Sequence, residues 1–315
     1  MTTPDQNHAF AFLSAANFLK APSLSEAPES RFAVAGVAWD GCVTNRPGAR
    51  FGPSAIRRAS HMLCDGVHPY FDVSPLGQLC DAGDLSLPNT SLEGMRHALM
   101  PLADRLISQH HMLWLGGDHS ITLPLLRAYK RIFGRPLALV HFDAHCDTWT
   151  DHFGEPSGHG TWTYEAIQEG LVIPEATIQI GIRSSGLREA REYVNTVGGR
   201  VFTARQLRGC HSEDQLAVVV NEIKRRVAST NSPAVYLSFD IDALDPAFAP
   251  GTGTPEPGGL TSAQAMTLLE LMADLPFVGM DMVEVAPAYD HAELTSNAAA
   301  TLAWTYLCGQ AKKPA

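Results

Sequence analysis

The chain has 315 residues, of which 45% are hydrophobic and 18% are charged. This is the composition of a folded globular protein and excludes an intrinsically disordered one. The formal net charge of −10 argues against non-specific binding to DNA or RNA, which requires clustered Lys and Arg to neutralise phosphates. An acidic surface instead favours small cationic ligands.

The first 30 residues are rich in Ser, Pro and Ala. We interpret residues 1–30 as an N-terminal arm and residues 31–315 as a single domain. In the domain, short apolar runs alternate with segments of helical periodicity, as in a parallel sheet that is buried on both faces. The predicted strands, in chain order, are Phe32–Ala38, Gln78–Ala82, Met112–Leu115, Leu137–Phe142, Thr177–Ile182, Val201–Thr203, Val235–Phe239 and Val278–Val285.

Start signals precede several of the intervening helices. Pro53 suits the first position of a helix over Pro53–Leu63. Capping-box spacing occurs in three pairs, which are Thr90 with Glu93, Ser212 with Gln215 and Thr261 with Gln264. The last predicted helix is Ser296–Cys308. The alternation indicates an α/β fold, and the pattern alone leaves an eight-stranded barrel and an open three-layer sandwich as alternatives.

Signals for a membrane or for export are weak. The chain contains no apolar run of about 18 residues, so we expect no transmembrane helix and no membrane partner. The mildly apolar segment Ala9–Leu19 has no basic stretch before it, so a signal peptide is not expected. The six cysteines are widely spaced, as in reduced thiols rather than a disulfide framework. A cytoplasmic location is therefore expected.

Three segments rich in Asp and His each follow a predicted strand directly. They are GGDHS at 116–120, HFDAHCD at 141–147 and SFDIDALDP at 238–246. Alternate side chains of an extended chain share a face, so Asp143, His145 and Asp147 should point the same way. Asp240 and Asp242 repeat this spacing. A single Asp-x-His or Asp-Ile-Asp is commonly a turn or a strand end, but three such segments after three strands favour a shared site.

Grouped carboxylates at the ends of apolar strands are costly to bury without positive charge, which divalent cations supply. The candidate ligands are His119, Asp143, His145, Asp147, Asp240 and Asp242. Four carboxylates balance two dications, and oxygen-rich ligation with some imidazole suits Mn²⁺, and also Ni²⁺, Co²⁺ or Fe²⁺. Two such metals can lower the pKa of a shared water toward neutrality.

Neighbouring polar residues are interpreted differently. Asp118 follows a Gly-Gly turn and Asp245 precedes a proline, so both are assigned to loops. Cys146 should face away from the candidate ligands as a packed thiol. His141 alternates in phase with the ligands but lies one step deeper, so we expect it behind them.

These motifs resemble those of the ureohydrolase family, which includes arginase, agmatinase and guanidinobutyrase, and bacterial agmatinases are the most similar members. Further matching motifs are RPGARFGPSAIR at 46–57, QIGIR at 179–183, DPAFAPGTGTPEPGG at 245–259 and MVEVAPAY at 282–289. The resemblance runs from about residue 32 to 308. It implies an open three-layer α/β/α sandwich with a roughly eight-stranded parallel sheet and two metal ions, usually Mn²⁺ and in some relatives Ni²⁺. Family members are typically trimers or hexamers, so a homotrimer or homohexamer is expected.

The resemblance also implies roles for individual residues. One metal would be held by His119, Asp143, Asp147 and Asp240. The other would be held by Asp143, His145, Asp240 and Asp242, with Asp143 and Asp240 bridging. Glu284 matches the glutamate that binds the guanidinium, and His159 matches the histidine that passes a proton to the leaving amine. Asp147 could also orient the nucleophile. The implied reaction is hydrolysis of a small guanidino compound to urea and an amine.

The loops around the motifs bear on the substrate. Residues 148–151 lack the Asn- and Ser-bearing stretch of arginases, and Ser157 stands where arginases have an Asn two residues before the histidine, so agmatine is favoured over arginine. Guanidinobutyrate and guanidinopropionate would need a cationic partner for their carboxylate, and these loops supply no obvious one. Guanidine or a metformin-type biguanide remains an alternative. Asn45, in the atypical loop 41–45, and Trp149 are candidate substrate contacts, and Trp162 adds apolar bulk.

Two other functional classes are alternatives. The chain could be a non-catalytic partner in a mixed oligomer with a paralogue, although its intact ligand set argues against this. A two-metal phosphoesterase would need cationic groups around its anionic substrate, whereas Glu284 favours a cation. The sequence therefore predicts an enzyme, a hydrolase acting on C–N bonds of linear amidines.

Overall fold

A computed structural model describes residues 16–151, 153–230 and 234–314. Its strands are β1 (Phe32–Val37), β2 (Leu79–Asp84), β3 (His111–Gly116), β4 (Leu137–Phe142), β5 (Val172–Ile182), β6 (Arg200–Thr203), β7 (Val235–Asp240) and β8 (Phe277–Val283). They form one sheet in the order β2-β1-β3-β8-β7-β4-β5-β6, and every pairing is parallel. Within the described residues β2 and β6 end the sheet without pairing to each other, so the sheet is open and not a barrel.

Helices cover both faces of this sheet. They are α1 (Gly52–Ser60), α2 (Leu92–Ile107), α3 (Thr122–Phe133), α4 (Trp162–Gln168), α5 (Arg188–Thr196), α6 (Ala204–Leu207), α7 (Glu213–Ala228), α8 (Ser262–Leu271) and α9 (Leu294–Ala311). Residues of α1, α7, α8 and α9 share one hydrophobic core, and residues of α2, α3, α4 and α5 share another. The predicted three-layer α/β/α sandwich is therefore confirmed.

Strand β1 shows why the apolar runs predicted this fold. Phe32 and Val34 pack into the first core, whereas Ala33, Ala35 and Val37 pack into the second. Because side chains alternate between the faces of a sheet, a strand covered on both faces must be apolar throughout.

The helix starts confirm two predicted capping boxes and correct a third. Capping boxes form between Ser212 and Gln215 and between Thr261 and Gln264. The prediction that Thr90 caps the next helix with Glu93 was wrong. Ser91 caps α2 instead, and its hydroxyl accepts a hydrogen bond from the N–H of Gly94 at 3.2 Å. Glu93 then lies one residue too early to reach back as a capping box requires.

The predicted N-terminal arm is described in part, because its residues 1–15 lie outside the described residues. Phe18 and Leu19 are buried against the domain. Their backbone N–H groups donate to Oδ2 of Asp81 and Oγ of Ser60, each at 2.8 Å. The division of the chain at residue 30 stays a prediction. Among the helices of the described ranges, none combines the length and apolarity needed to cross a bilayer.

Candidate metal centre and active site

The three Asp- and His-rich segments meet at the carboxyl ends of the central strands of the sheet. They follow β3, β4 and β7, and β8 lies between β3 and β7 in the strand order. All strands are parallel, so the carboxyl ends of these four neighbours lie together at the centre of the sheet. These carboxyl ends are where open α/β sheets bind their ligands.

His119 lies at the centre of a first group of carboxylates. Its Nδ1 is 3.1 Å from Oδ2 of Asp143, 3.2 Å from Oδ2 of Asp147 and 3.2 Å from Oδ2 of Asp240. This nitrogen is buried, and none of these contacts has hydrogen-bond geometry. Three carboxylate oxygens and one imidazole nitrogen that converge without hydrogen bonds to one another form a donor set that fits a divalent cation.

A second group adjoins the first through Asp143. Nδ1 of His145 is 3.3 Å from Oδ1 of Asp143 and 3.1 Å from Oδ2 of Asp242. Asp143 therefore directs one oxygen to each group, as a bridging ligand would. Asp240 directs Oδ2 to His119, and its Oδ1 accepts the N–H of Asp242 at 2.8 Å, so its bridging role stays a prediction.

Protonation equilibria in these groups are strongly perturbed. Burial lowers the pKa of His119, but the carboxylates around it outweigh burial and raise this pKa well above its ordinary value. Burial, with the charges of Asp242 and Asp143, raises the pKa of Asp240 well above its ordinary value. Clustered carboxyl groups cannot all be ionised unless positive charge lies among them. Two dications would supply that charge.

Polar residues behind the ligands fix the ring of His119. Its Nε2 is 2.8 Å from Oγ of Ser238, which in turn donates to Oδ1 of Asp281 at 2.7 Å. Asp281 is fully buried in β8 and also accepts hydrogen bonds from Thr122 and Tyr236. Such supporting hydrogen bonds set the tautomer and orientation of a metal-binding imidazole. We did not predict this chain of contacts, although Ser238 alternates in phase with the Asp residues that follow it.

His141 contacts Asp143, and it also belongs with His119 and Asp147 to a group of side chains that could hold a metal, so its expected place behind the ligands stays a prediction. Its Nε2 is 2.8 Å from Oδ2 of Asp143, and its Nδ1 is 3.1 Å from Nε2 of Gln179. Gln179 also donates to the carbonyl of Cys146, whose thiol is packed in the core. The interpretation of Cys146 as a packed residue is therefore confirmed.

The two remaining Asp residues take the loop positions assigned to them. Asp118 is buried and accepts hydrogen bonds from the N–H groups of Ser120 and Cys42. Asp245 accepts the N–H groups of Ala247, at 3.0 Å, and Gly258, at 2.6 Å. Neither carboxylate joins the two groups that could hold a metal.

Glu284 and His159 form a pair beside the first group. Glu284 is 1% exposed and has a left-handed backbone conformation, with φ of 64°. Its Oε1 accepts the backbone N–H of His119 at 2.9 Å and lies 3.0 Å from Nδ1 of His159. Its Oε2 is buried and has no hydrogen-bond partner among the described residues. Burial lowers the pKa of His159, but the hydrogen bond and charge of Glu284 outweigh it and raise this pKa to about 9.

A cavity of about 520 Å³ adjoins this pair; His159 lines it, whereas Glu284 lies behind His159 and is not among its lining residues. His119, His145, Asp147 and Asp240 lie at its floor, and Trp149 and His159 are on its wall. Thr44 lines this wall, whereas the predicted contact Asn45 does not; the Asn45 amide donates to the carbonyl of Gly253 at 2.9 Å. A substrate-binding role for Asn45 stays a prediction.

Asp151 and Glu256 supply carboxylates at the cavity wall. No Lys or Arg lines the cavity within residues 16–151, 153–230 and 234–314. Beyond its metal-binding groups, the cavity is therefore acidic.

Comparison with known proteins places these features in a family. The model of the Arginase family matches residues 30–309. An agmatinase of Neisseria meningitidis serogroup C is 45% identical over 284 residues, which cover 89% of this chain and 87% of that protein. An agmatinase of Edwardsiella ictaluri is 45% identical over 289 residues, which cover 90% of each chain.

Solved structures give the same result. A hypothetical agmatinase from Burkholderia thailandensis superposes with a TM-score of 0.86 at 37% identity, covering 95% of this chain and 92% of the other. Proclavaminate amidino hydrolase from Streptomyces clavuligerus superposes with a TM-score of 0.86 at 35% identity, covering 96% and 99%. The family resemblance predicted from the motifs is therefore confirmed.

Proposed function

Since this chain belongs to the arginase family, and is thus a hydrolase of C–N bonds in linear amidines, we propose that it hydrolyses agmatine to urea and putrescine. The curated relatives named above are agmatinases, and the aligned segments cover most of each chain. The subunit number, trimer or hexamer, and a cytoplasmic location stay predictions.

The donor set fits two divalent ions, for which Mn²⁺ is the first choice and Ni²⁺ the alternative. One ion would be held by His119, Asp143, Asp147 and Asp240, and the other by Asp143, His145, Asp240 and Asp242. Bound there, the ions would supply a water of lowered pKa as the nucleophile. The buried Nδ1 of His119, which faces three carboxylates, supports this assignment.

Glu284 carries the proposal of a guanidinium substrate. Its buried Oε2 lacks a hydrogen-bond partner in the described structure, and a buried carboxylate oxygen without a donor is costly. A guanidinium presents paired N–H groups that match a carboxylate. Oε1 is already held by the N–H of His119, so the carboxylate is fixed before the substrate arrives. Its acceptor position next to the candidate metal groups would orient the guanidinium carbon toward them.

His159 is suited to supply the proton that the leaving amine needs. It lines the cavity, and Glu284 stabilises its protonated form, as the pKa of about 9 shows. A protonated imidazole can transfer its proton to the nitrogen as the C–N bond breaks. Asp147, at the cavity floor, is placed to accept a hydrogen bond from the attacking water.

The charge of the cavity favours agmatine over substrates with a carboxylate tail. Asp151 and Glu256 lie on its wall, and no Lys or Arg lines it in the part of the chain that the structure describes. Asp151 also accepts the N–H of Gly154, which fixes its loop. A distal ammonium is attracted to these carboxylates, whereas a distal carboxylate is repelled.

A urea-release assay on the chain purified alone tests this proposal. The panel is agmatine, guanidinobutyrate, guanidinopropionate, arginine, guanidine and dimethylbiguanide, each with Mn²⁺ and with Ni²⁺. We expect agmatine to give the highest kcat/KM by at least about tenfold. A higher kcat/KM for guanidinobutyrate would contradict the substrate assignment. Absence of urea from every compound would support the non-catalytic subunit instead.

A further inference from the structure

The loop at 41–45 contacts the pair formed by His159 and Glu284. Oγ1 of Thr44 is 2.9 Å from Nε2 of His159, while Nδ1 of the same ring is 3.0 Å from Oε1 of Glu284. Both nitrogens of the imidazole are therefore engaged by side chains from two distant parts of the chain. Thr44 is on the cavity wall, on the solvent side of the ring.

The loop is anchored on both sides of Thr44. The backbone N–H of Cys42 donates to Oδ2 of Asp118 at 2.8 Å. The side-chain amide of Asn45 donates to the carbonyl of Gly253 at 2.9 Å. These anchors fix the position of the hydroxyl although the side chain that carries it is exposed. Cys42 and Asn45 therefore hold Thr44 in place, a role that the sequence alone did not predict.

A hydroxyl is suited to this position because it both donates and accepts. When the neutral ring carries its proton on Nδ1, the hydroxyl of Thr44 donates to the lone pair of Nε2. When the ring is protonated on both nitrogens, Nε2–H donates to the hydroxyl oxygen. If Nδ1 then gives its proton to the leaving amine, an N–H bond breaks on His159 and forms on the amine. The positive charge moves with the proton, and Nε2–H still donates to Thr44.

We propose that Thr44 is the positioning residue of His159, because its hydroxyl pairs with Nε2 in each protonation state and keeps Nδ1 directed at Glu284. The inference rests on the proposed role of His159 in amidine hydrolysis. Asp118 and Asp147 also act on His159 through their charge, and both remain when Thr44 is changed. The effect of a Thr44 substitution therefore reports on the hydroxyl and not on the surrounding charge.

The test compares Thr44→Val, which removes the hydroxyl at nearly constant shape, with Thr44→Ser, which keeps it. We expect Thr44→Val to lower kcat for agmatine about tenfold or more with KM changed less than about twofold, since Nε2–H of the protonated ring loses its protein acceptor. For the same reason, the pKa of His159 should fall by about one unit. An NMR titration of histidine-labelled full-length protein measures this pKa without turnover, and His159→Asn assigns the signal.

Thr44→Ser should restore both kcat and the pKa of His159 to near their wild-type values. Thr196→Val removes a hydroxyl from the exposed end of α5 and should change neither quantity. An unchanged kcat or an unchanged pKa of His159 in Thr44→Val would overturn the proposal, as would a Thr44→Ser variant that behaves like Thr44→Val. If the wild type releases no urea, the proposed function fails, while the NMR titration still decides whether Thr44 holds His159.

Discussion

The indole Nε1–H of Trp162 donates a hydrogen bond to Oδ2 of Asp147 at 2.7 Å. Both residues are buried, and Asp147 has a left-handed backbone conformation, with φ of 51°. The indole therefore fixes a carboxylate that the backbone alone would hold poorly. Trp162 begins α4, so this helix is tied directly to the candidate metal centre.

Trp162→Phe should weaken metal binding. The substitution keeps an aromatic ring but removes the donor to Asp147, and loss of such a supporting hydrogen bond lowers metal affinity about 10- to 100-fold. Titration of the metal-free protein with Mn²⁺ measures the change. Trp304→Phe is the matched control, since Trp304 donates to the carbonyl of Gly66 elsewhere in the molecule. Equal Mn²⁺ affinity in the two variants would refute the role given to Trp162.

Asp242→Ala should remove one of the two metal positions. Its Oδ2 is 3.1 Å from Nδ1 of His145, so the second group loses a carboxylate. We expect elemental analysis to find one metal ion per chain and turnover to fall about 100-fold. Asp245→Ala removes a nearby loop carboxylate and should keep both ions. Two ions and near wild-type turnover in Asp242→Ala would be incompatible with the binuclear assignment.

His159 should make the stability of the metal-free protein depend on pH. Its pKa in the folded protein is about 9 against 6.5 in the unfolded chain, so the folded state binds this proton more tightly. The resulting stabilisation, about 3 kcal/mol, is present below pH 6.5 and is lost as the pH rises to about 9. Over pH 6 to 9.5, denaturant unfolding should show a loss of stability that is about 3 kcal/mol larger in the wild type than in His159→Asn. Parallel pH curves for the two proteins would show that Glu284 does not stabilise the imidazolium.

Ser91→Ala should destabilise the protein by about 1 kcal/mol, because the Ser91 hydroxyl caps α2 through the N–H of Gly94. Thr90→Ala should change the free energy of unfolding by less than about 0.5 kcal/mol. Thermal unfolding of the two variants measures the difference. A larger loss of stability in Thr90→Ala than in Ser91→Ala would show that Thr90 caps α2, as its spacing to Glu93 predicted.

The fold and the candidate ligands could be predicted from the sequence for the same reason. Strands buried on both faces must be apolar throughout, so each was visible as a run such as Leu137–Phe142, which the structure reproduces. A single polar residue after such a run is common at strand ends, but Asp- and His-rich segments follow three of the runs, so Asp143 and Asp240 stood out. Their meeting depends on strand order, which no local pattern encodes and the structure shows; the family resemblance supplied only the set of ligands.

Supporting residues were harder to predict because their importance lies in contacts between distant segments. The indole of Trp162 contacts Asp147, and no local sequence pattern encodes this contact. From the sequence, Trp162 was described only as adding apolar bulk. Asp281 lies within an apolar strand and is explained only by its neighbours Ser238 and Tyr236. The predicted and observed starts of α2 differ by one residue, because the adjacent residues Thr90 and Ser91 are both able to cap a helix.

Six side chains from three strand ends are proposed to bind a pair of divalent ions. The direct test is a crystal structure of the chain grown with Mn²⁺, with anomalous scattering used to locate the metal. The binuclear assignment predicts two anomalous peaks about 3.5–4 Å apart, with one bound by Nδ1 of His119, the other by Nδ1 of His145, and Asp143 between them. A single peak, or peaks away from these residues at saturating Mn²⁺, would contradict it.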